Sequence, residues 1–165
     1  MTTSRTERTM PIVRAPGEGT AIWHLDTLMT FKALSDDTEG RLTAWEQLLP
    51  HHSSPPLHVH SDEDEAWFVL DGDLTFRVAD STWSVGAGSF VWAPRGLPHT
   101  FRVDSPTARL LALAIPGRFD RFVQATGRPA QAPTLPPPPD GPPDMARLVA
   151  AAREHGMEVL GPPLS

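Results

Sequence analysis

The stretch PPLHVHSDEDEAW, residues 55–67, decides how the chain is interpreted. His58 and His60 lie one residue apart in an apolar run that is typical of a β-strand, so their side chains point to the same face. The polar residues 61–64 indicate a turn or bulge, after which EAWFVL begins a new strand. Because such a break resets the alternation, we expect Glu65 to face inward with Trp67 and Val69.

The sequence around this stretch predicts an antiparallel sandwich or barrel. Between Thr20 and Pro116, short runs typical of β-strands alternate with turn signals such as Asp71-Gly72, which is typical of a hairpin. No segment with helical periodicity interrupts them. The runs are AIWHL, LMTFKAL, RLTAWEQLL, PLHVH, EAWFVL, DLTFRVA, TWSV, SFVWAP, HTFRV and ARLLALAIP.

Beyond Pro116 the pattern changes to helical segments separated by a proline-rich tract. GRFDRFVQATG predicts one short helix, and MARLVAAAREHG predicts a second with Asp144 as its N-cap. The tract between them favours an extended arm, which could fold back or embrace a second subunit. We therefore predict a flexible N-terminal segment (1–18), a β-barrel (19–127), a Pro-rich arm (128–143) and a C-terminal helix with a tail (144–165).

Composition excludes several classes of function. The 165 residues suit one domain, and the net charge of −6 with a single lysine, Lys32, argues against nucleic acid as the main partner. The chain contains no cysteine, which excludes disulfides and thiolate metal ligands. No stretch resembles a signal peptide or a membrane span, so we expect a cytoplasmic protein with no membrane partner.

A further histidine completes a set of residues suited to metal binding. PRGLPHTFRV places His99 at the start of a strand, directly after a turn rich in proline and glycine. Three imidazoles and one carboxylate suit a divalent transition metal, which could be Fe, Ni, Mn, Cu, Co or Zn. Such a set leaves coordination positions for water or substrate.

Two motifs resemble those of the cupin superfamily. His58-x-His60-x4-Glu65-x6-Gly72 resembles the first cupin motif, Gly88-x5-Pro94-x-Gly96-x2-His99 resembles the second, and fifteen residues separate them. The resemblance implies an all-β cupin double-stranded β-barrel of the jelly-roll type with a short C-terminal helical extension. It also implies that His58, His60, Glu65 and His99 are the metal ligands. Two positions depart from the motifs, since His52 stands where a glycine is usual and Val103 where asparagine is frequent.

The segments before and after the motifs are similar to single-domain cupins of the quercetin 2,3-dioxygenase-like branch. That resemblance implies a metal-dependent dioxygenase that cleaves the ring of a flavonol or another phenolic or enolic small molecule. Glu65 would then be a catalytic base as well as a ligand, and Trp67, Val69 and Phe101 would line the substrate pocket. The expected partners are the small-molecule substrate, dioxygen and a second copy of the chain in a homodimer.

The sequence is also compatible with two other functions. The same ligands could support a redox-neutral cyclase or isomerase, as in cupins that are polyketide cyclases, or a non-catalytic module that binds a metal or small ligand. The other ionisable residues near the motifs favour structural or solvent-exposed roles. We expect Glu63 and Asp64 to be solvated turn acids, His51 and His52 to be exposed, and His24 to be a packing or surface residue.

Overall fold

The computed structural model describes residues 10–165, and its architecture is mostly β. All ten runs expected from the sequence form strands, so the predicted all-β class is confirmed. The strands are β1 (Thr20–His24), β2 (Thr27–Ala33), β3 (Thr43–Pro50), β4 (Pro56–His60), β5 (Asp64–Asp71), β6 (Leu74–Val78), β7 (Ser81–Val85), β8 (Phe90–Ala93), β9 (His99–Val103), β10 (Thr107–Ile115), β11 (Arg128–Pro129) and β12 (Met157–Pro163). The helices are α1 (Phe119–Thr126) and α2 (Met145–Glu154), and residues Asp36–Thr38 form a 3₁₀ turn.

The strands form two antiparallel sheets that pack face to face. One sheet has the order β11-β1-β2-β3-β10-β5-β8, and the other has the order β12-β4-β9-β6-β7. Apolar side chains from both sheets meet in one core, where the ring of Trp67 on β5 lies 5.2 Å from that of Phe76 on β6. Burying side chains of this size contributes about 1.5–3 kcal/mol each. This two-sheet jelly roll is the architecture that the two motifs imply.

The Asp71-Gly72 turn differs from the hairpin that the sequence suggests. It carries the chain from β5 in one sheet to β6 in the other, and β5 pairs with β8 and β10 instead. Gly72 has a φ of 88°, and a Cβ at this position would lie 2.6 Å from the carbonyl oxygen of Thr107. The glycine therefore allows two backbone segments to approach each other where the chain changes sheets.

Helix α1 is tied to the seven-stranded sheet by one buried carboxylate. Asp120 accepts hydrogen bonds from the backbone N–H and the hydroxyl of Ser35 at 3.1 and 2.9 Å, and from the hydroxyl of Thr43 at 3.1 Å. A buried carboxylate with several donors is stable because its desolvation is compensated. The anchored helix places Phe119 and Phe122 against the ends of the sheets, where both contact buried histidines.

The C-terminal segment returns to its own barrel. The predicted N-cap of α2 is confirmed, because the carboxylate of Asp144 accepts a hydrogen bond from the backbone N–H of Arg147 at 3.0 Å. The residues expected to be a tail form β12, which pairs with β4 so that Met157 lies opposite His60 and Val159 opposite His58. The arm folds back in the same chain, and its Thr134 carbonyl accepts a hydrogen bond from the indole of Trp23.

The proposed division into four segments stays a prediction, and the first nine residues of its N-terminal segment lie outside the described residues. Residues 10–18 are exposed and precede the first strand. Within residues 10–165, neither helix combines the length and the apolar character needed to cross a membrane.

Candidate metal centre

Four side chains from three strands converge inside the jelly roll. β4 contributes His58 and His60, β5 contributes Glu65, and β9 contributes His99. One ligand atom from each residue lies within 4.8 Å of the others. The carboxylate oxygen Oε2 of Glu65 is 2.8 Å from Nε2 of His99, 3.2 Å from Nε2 of His60 and 4.0 Å from Nε2 of His58.

The strand geometry explains why these side chains meet. His58 and His60 are two residues apart on β4, so both project from one face. His58 lies directly opposite His99 in the antiparallel pair of β4 and β9, with its imidazole centroid 4.5 Å from that of His99. The turn at residues 61–63 resets the alternation as expected, and Glu65 on β5 is buried whereas Phe68 is exposed.

Hydrogen bonds on the outer side of the cluster fix two of the imidazole rings. Nδ1 of His58 lies 2.7 Å from the carbonyl oxygen of Pro56, and Nδ1 of His99 lies 3.1 Å from that of Leu97. Because a carbonyl oxygen can only accept, each Nδ1 carries the hydrogen. The inner Nε2 atoms therefore point toward the centre, where Nε2 of His99 is hydrogen-bonded to Oε2 of Glu65 at 2.8 Å. In neutral rings with the hydrogen on Nδ1, these Nε2 atoms have lone pairs that a metal ion could accept.

His60 is held in a different way. Its Nδ1 lies 3.3 Å from Oε2 of Glu63, and its Nε2 faces Oε2 of Glu65 without the alignment of a hydrogen bond. Among the described residues this Nε2 has no hydrogen-bond partner, although the ring is only 1% exposed. An unpartnered buried nitrogen beside a carboxylate is unfavourable unless a cation lies between them. This donor set therefore fits a metal ion, and the buried cluster can bind one.

The ionisation of the cluster follows from the same contacts. Burial by itself lowers the pKa of His60, but the negative charge of Glu65 and the hydrogen bond to Glu63 outweigh it and raise this pKa to about 10. Burial would raise the pKa of Glu65, but the positive charge of His60 and the hydrogen bond from His99 hold it well below its usual range. Burial, reinforced by the charge of His99, lowers the pKa of His58 to about 4. Glu65 is thus an anion at neutral pH and His58 a neutral donor.

Glu63 lies elsewhere than the sequence suggests. We expected a solvated turn acid, but its side chain is 3% exposed and contacts His60 from behind. Asp64 points outward and forms two hydrogen bonds with the guanidinium of Arg95, at 2.9 and 3.0 Å. His51 and His52 are exposed, as expected. Glu63 was missed because neither residue spacing nor composition distinguishes it from the exposed Asp62 beside it.

The apolar residues expected at the substrate pocket are all buried in the core. Trp67 lies nearest the cluster, with its ring 5.4 Å from that of His99, and it also contacts Phe101 at 6.4 Å. Val69 lies further along β5 and is fully buried. Their role as a substrate pocket stays a prediction. Phe119, which the sequence analysis did not single out, lies 6.1 Å from His60 and covers the cluster from α1.

Comparison with known proteins agrees with this geometry. Residues 44–116 match the family described as "Cupin domain". The chain is 25% identical over 120 residues to quercetin 2,3-dioxygenase from Bacillus subtilis, which covers 73% of this chain and 36% of that protein. The chain thus spans about a third of the length of this curated relative.

Solved structures show the same fold at low sequence identity. KdgF from Halomonas sp. superposes with a TM-score of 0.59 at 15% identity, over 68% of this chain and 98% of that one. An RmlC-like cupin from Shewanella frigidimarina gives a TM-score of 0.57 at 17% identity, over 68% of this chain and 99% of that one. With both sequence motifs, the two-sheet jelly roll and the buried His and Glu cluster, these matches identify residues 44–116 as a cupin domain.

Proposed function

We propose that the protein is a metal-dependent dioxygenase that cleaves the ring of a phenolic or enolic small molecule, with a flavonol as the model substrate. His58, His60, Glu65 and His99 hold one divalent transition metal, which is Fe, Ni, Mn, Cu, Co or Zn. The observation that carries the proposal is the convergence of three inner imidazole nitrogens on one buried carboxylate, with Nε2 of His60 left without a hydrogen-bond partner among the described residues. The similarity to quercetin 2,3-dioxygenase supports the choice of reaction.

The residues of the cluster would have different roles in the reaction. When bound, the metal lowers the pKa of a coordinated hydroxyl group and holds it as its anion. The three imidazoles keep their Nε2 atoms directed at the centre through their outer hydrogen bonds. Glu65 is ionised, so its carboxylate would be the group that accepts the substrate's hydroxyl proton.

The surroundings favour a reaction from which bulk water is excluded. Trp67 and Phe119 cover the cluster with aromatic rings, and His60, Glu65 and His99 are almost fully buried. The side chain of His58 retains 15% exposure, the largest in the cluster. We therefore propose that substrate and dioxygen approach from the side of His58.

The test is anaerobic incubation of the metal-loaded protein with quercetin, followed by admission of air. We expect no change before air is admitted, then bleaching of the flavonol absorption band with uptake of equimolar dioxygen. His99→Ala, which removes one ligand, should abolish the reaction. The fully metallated protein contradicts the flavonol proposal if it neither bleaches quercetin nor consumes oxygen.

The same experiment separates the two other functions. Conversion of an enolic substrate under strict exclusion of oxygen would favour a redox-neutral cyclase or isomerase. Tight binding of the substrate without any turnover would favour a binding module. Elemental analysis of protein purified without added metal identifies the ion that the cluster selects. The homodimer and the cytoplasmic location stay predictions.

A further inference from the structure

Glu63 stands apart from the other acids of its turn. Asp62 is exposed and Asp64 is paired with Arg95 on the outside, whereas Glu63 is turned inward and is 3% exposed. Its Oε2 contacts Nδ1 of His60 at 3.3 Å, and its other oxygen, Oε1, has no hydrogen-bond partner among the described residues. Burying a carboxylate with one oxygen unpartnered is unfavourable in free energy. We therefore expect another interaction of Glu63 to compensate for it.

The three histidines of the cluster differ in what holds their outer nitrogen. Backbone carbonyls accept from Nδ1 of His58 and His99, and any residue at those backbone positions would supply the same acceptor. His60 alone has a side-chain carboxylate as its partner. A charged acceptor forms a stronger hydrogen bond than a carbonyl and increases the basicity of the opposite nitrogen. His60 therefore differs from the other two imidazoles as an electron donor, because of a residue at one of the untyped positions of the first motif.

The position of Glu63 also rules out a direct role as an alternative ligand. Glu63 approaches the Nδ1 side of His60, whereas Glu65 lies 3.2 Å from Nε2 on the opposite side of the ring. The imidazole is thus held between two buried carboxylates. When a metal ion is bound in place of the imidazole protons, one divalent cation would balance the two carboxylates.

We propose that Glu63 is a positioning residue that acts through His60. By accepting the Nδ1 hydrogen, it fixes the tautomer and ring orientation that present Nε2 to the metal, and it makes His60 the strongest of the three imidazole donors. This inference rests on the metal centre of the proposed function, but it does not depend on which substrate is converted.

The test compares Zn²⁺ affinity in four proteins by competition with a chromophoric chelator. They are the wild type, Glu63→Gln, Glu63→Leu and, as a matched control, Asp62→Asn from the exposed part of the same turn. Loss of a carboxylate behind a metal-binding histidine typically weakens metal binding about 10–100-fold, and we expect this range for Glu63→Leu. Glu63→Gln should lose less because its amide oxygen still accepts from Nδ1, and Asp62→Asn should stay within about twofold of the wild type.

A spectroscopic measurement separates positioning from a merely structural role. In the Zn²⁺-loaded wild type, long-range ¹H–¹⁵N spectra should show the hydrogen of His60 on Nδ1 at low field. In Glu63→Leu this resonance should move upfield and exchange faster with water, while those of His58 and His99 stay in place. A residue needed only for folding would lower the unfolding midpoint without this selective change at His60. Should the leucine variant fail to fold, Glu63→Gln, which keeps the side-chain shape, carries both measurements.

The outcomes distinguish this inference from the proposed function. Wild-type protein that binds no Zn²⁺ would overturn both. Wild-type protein that binds Zn²⁺, together with Glu63 variants of unchanged affinity and an unchanged His60 resonance, would overturn only the role of Glu63. A graded loss from the wild type through Gln to Leu, with Asp62→Asn unaffected, supports it.

Discussion

His24 and His60 are both buried histidines that pack against α1, yet their environments have opposite effects. His24 is 7% exposed and its ring lies 5.4 Å from that of Phe122, while His60 is 1% exposed and lies 6.1 Å from Phe119. Burial lowers the pKa of His24 to about 4. For His60 the same effect is outweighed by Glu65 and Glu63, and the pKa rises to about 10.

Burial and aromatic packing by themselves therefore do not identify a metal ligand. The partner of His24 is a neutral hydroxyl, Oγ1 of Thr126 at 3.0 Å, which itself donates to the carbonyl of Phe122. Oγ1 therefore accepts from His24, which must carry its hydrogen on Nε2. Such a ring is a satisfied structural histidine, whereas His60 presents an unpartnered nitrogen to a carboxylate. The charged partners make the difference.

The largest expected effect is on metal binding. His60→Ala removes a ligand, and we expect its Zn²⁺ affinity to fall by more than about 100-fold. This exceeds the roughly 10–100-fold loss expected when only the carboxylate behind His60, that of Glu63, is removed. His24→Ala should leave the affinity within about twofold, because His24 contacts α1 and no residue of the cluster. Competition titration of both variants measures this contrast. Equal affinities in the two variants would contradict it, as would stoichiometric metal in a variant with all four cluster residues replaced by alanine.

The next effect concerns stability in acid. The pKa of His24 is about 4 in the folded protein and about 6.5 when unfolded, so between these values only the unfolded chain takes up the proton. The contribution of His24 to the free energy of unfolding is therefore present above pH 6.5 and falls by about 3 kcal/mol as the pH is lowered to 4. Urea unfolding of the metal-free wild type and His24→Gln at several pH values measures it.

Comparing the stability of the wild type and His24→Gln in acid isolates the effect of His24. His58 also has a lowered pKa, but it is present in both proteins, and its effect cancels in the difference. The stability gap between the wild type and His24→Gln should narrow from pH 7 to pH 4. A gap that is independent of pH would show that His24 is accessible to protons in the folded state.

Much of the fold could be predicted because alternation along a strand is a local property. The ten runs and the reset of alternation before Glu65 were visible in residue types alone. The strand β12 was missed because Gly161, Pro162 and Pro163 indicate a chain end. Prolines are tolerated in it because it lies at the edge of its sheet, next to β4. The signal available in the sequence was the alternation of the apolar Met157 and Val159 with the charged Glu158.

The candidate site shows the same division between local and tertiary information. The four converging residues could be identified because two motifs fix their types and spacing. The burial of Glu63 could not, because three consecutive acids at 62–64 look alike until the turn places each of them. Phe119 was missed for a related reason, since its approach to His60 depends on how Asp120 anchors α1.

A smaller effect is expected from the partner of His24. Thr126→Val keeps the shape of the side chain but leaves Nε2 of His24 buried without an acceptor. We expect a loss of about 1–2 kcal/mol in the free energy of unfolding, measured with urea at neutral pH. Zn²⁺ affinity should stay unchanged. A weakened metal site in this variant would contradict the separation of the two histidine environments.

The smallest effect concerns His52, an exposed histidine at which neither burial nor charge matters. It occupies the position where the cupin motif usually has glycine, its φ is 62°, and its N–H donates to the carbonyl of Val103, the second position that departs from the motifs. An L-residue in this left-handed conformation costs about 1–2 kcal/mol, which glycine avoids at some cost in unfolded-state entropy. We therefore expect His52→Gly to raise the free energy of unfolding by about 1 kcal/mol. His51→Gly removes the same contact between the two imidazoles, and also the hydrogen bond of Nδ1 with the carbonyl of Ser105, but it lies outside the left-handed region and should lower the free energy of unfolding. Urea unfolding of both variants at pH 7 tests the backbone argument, and equal losses in the two would contradict it.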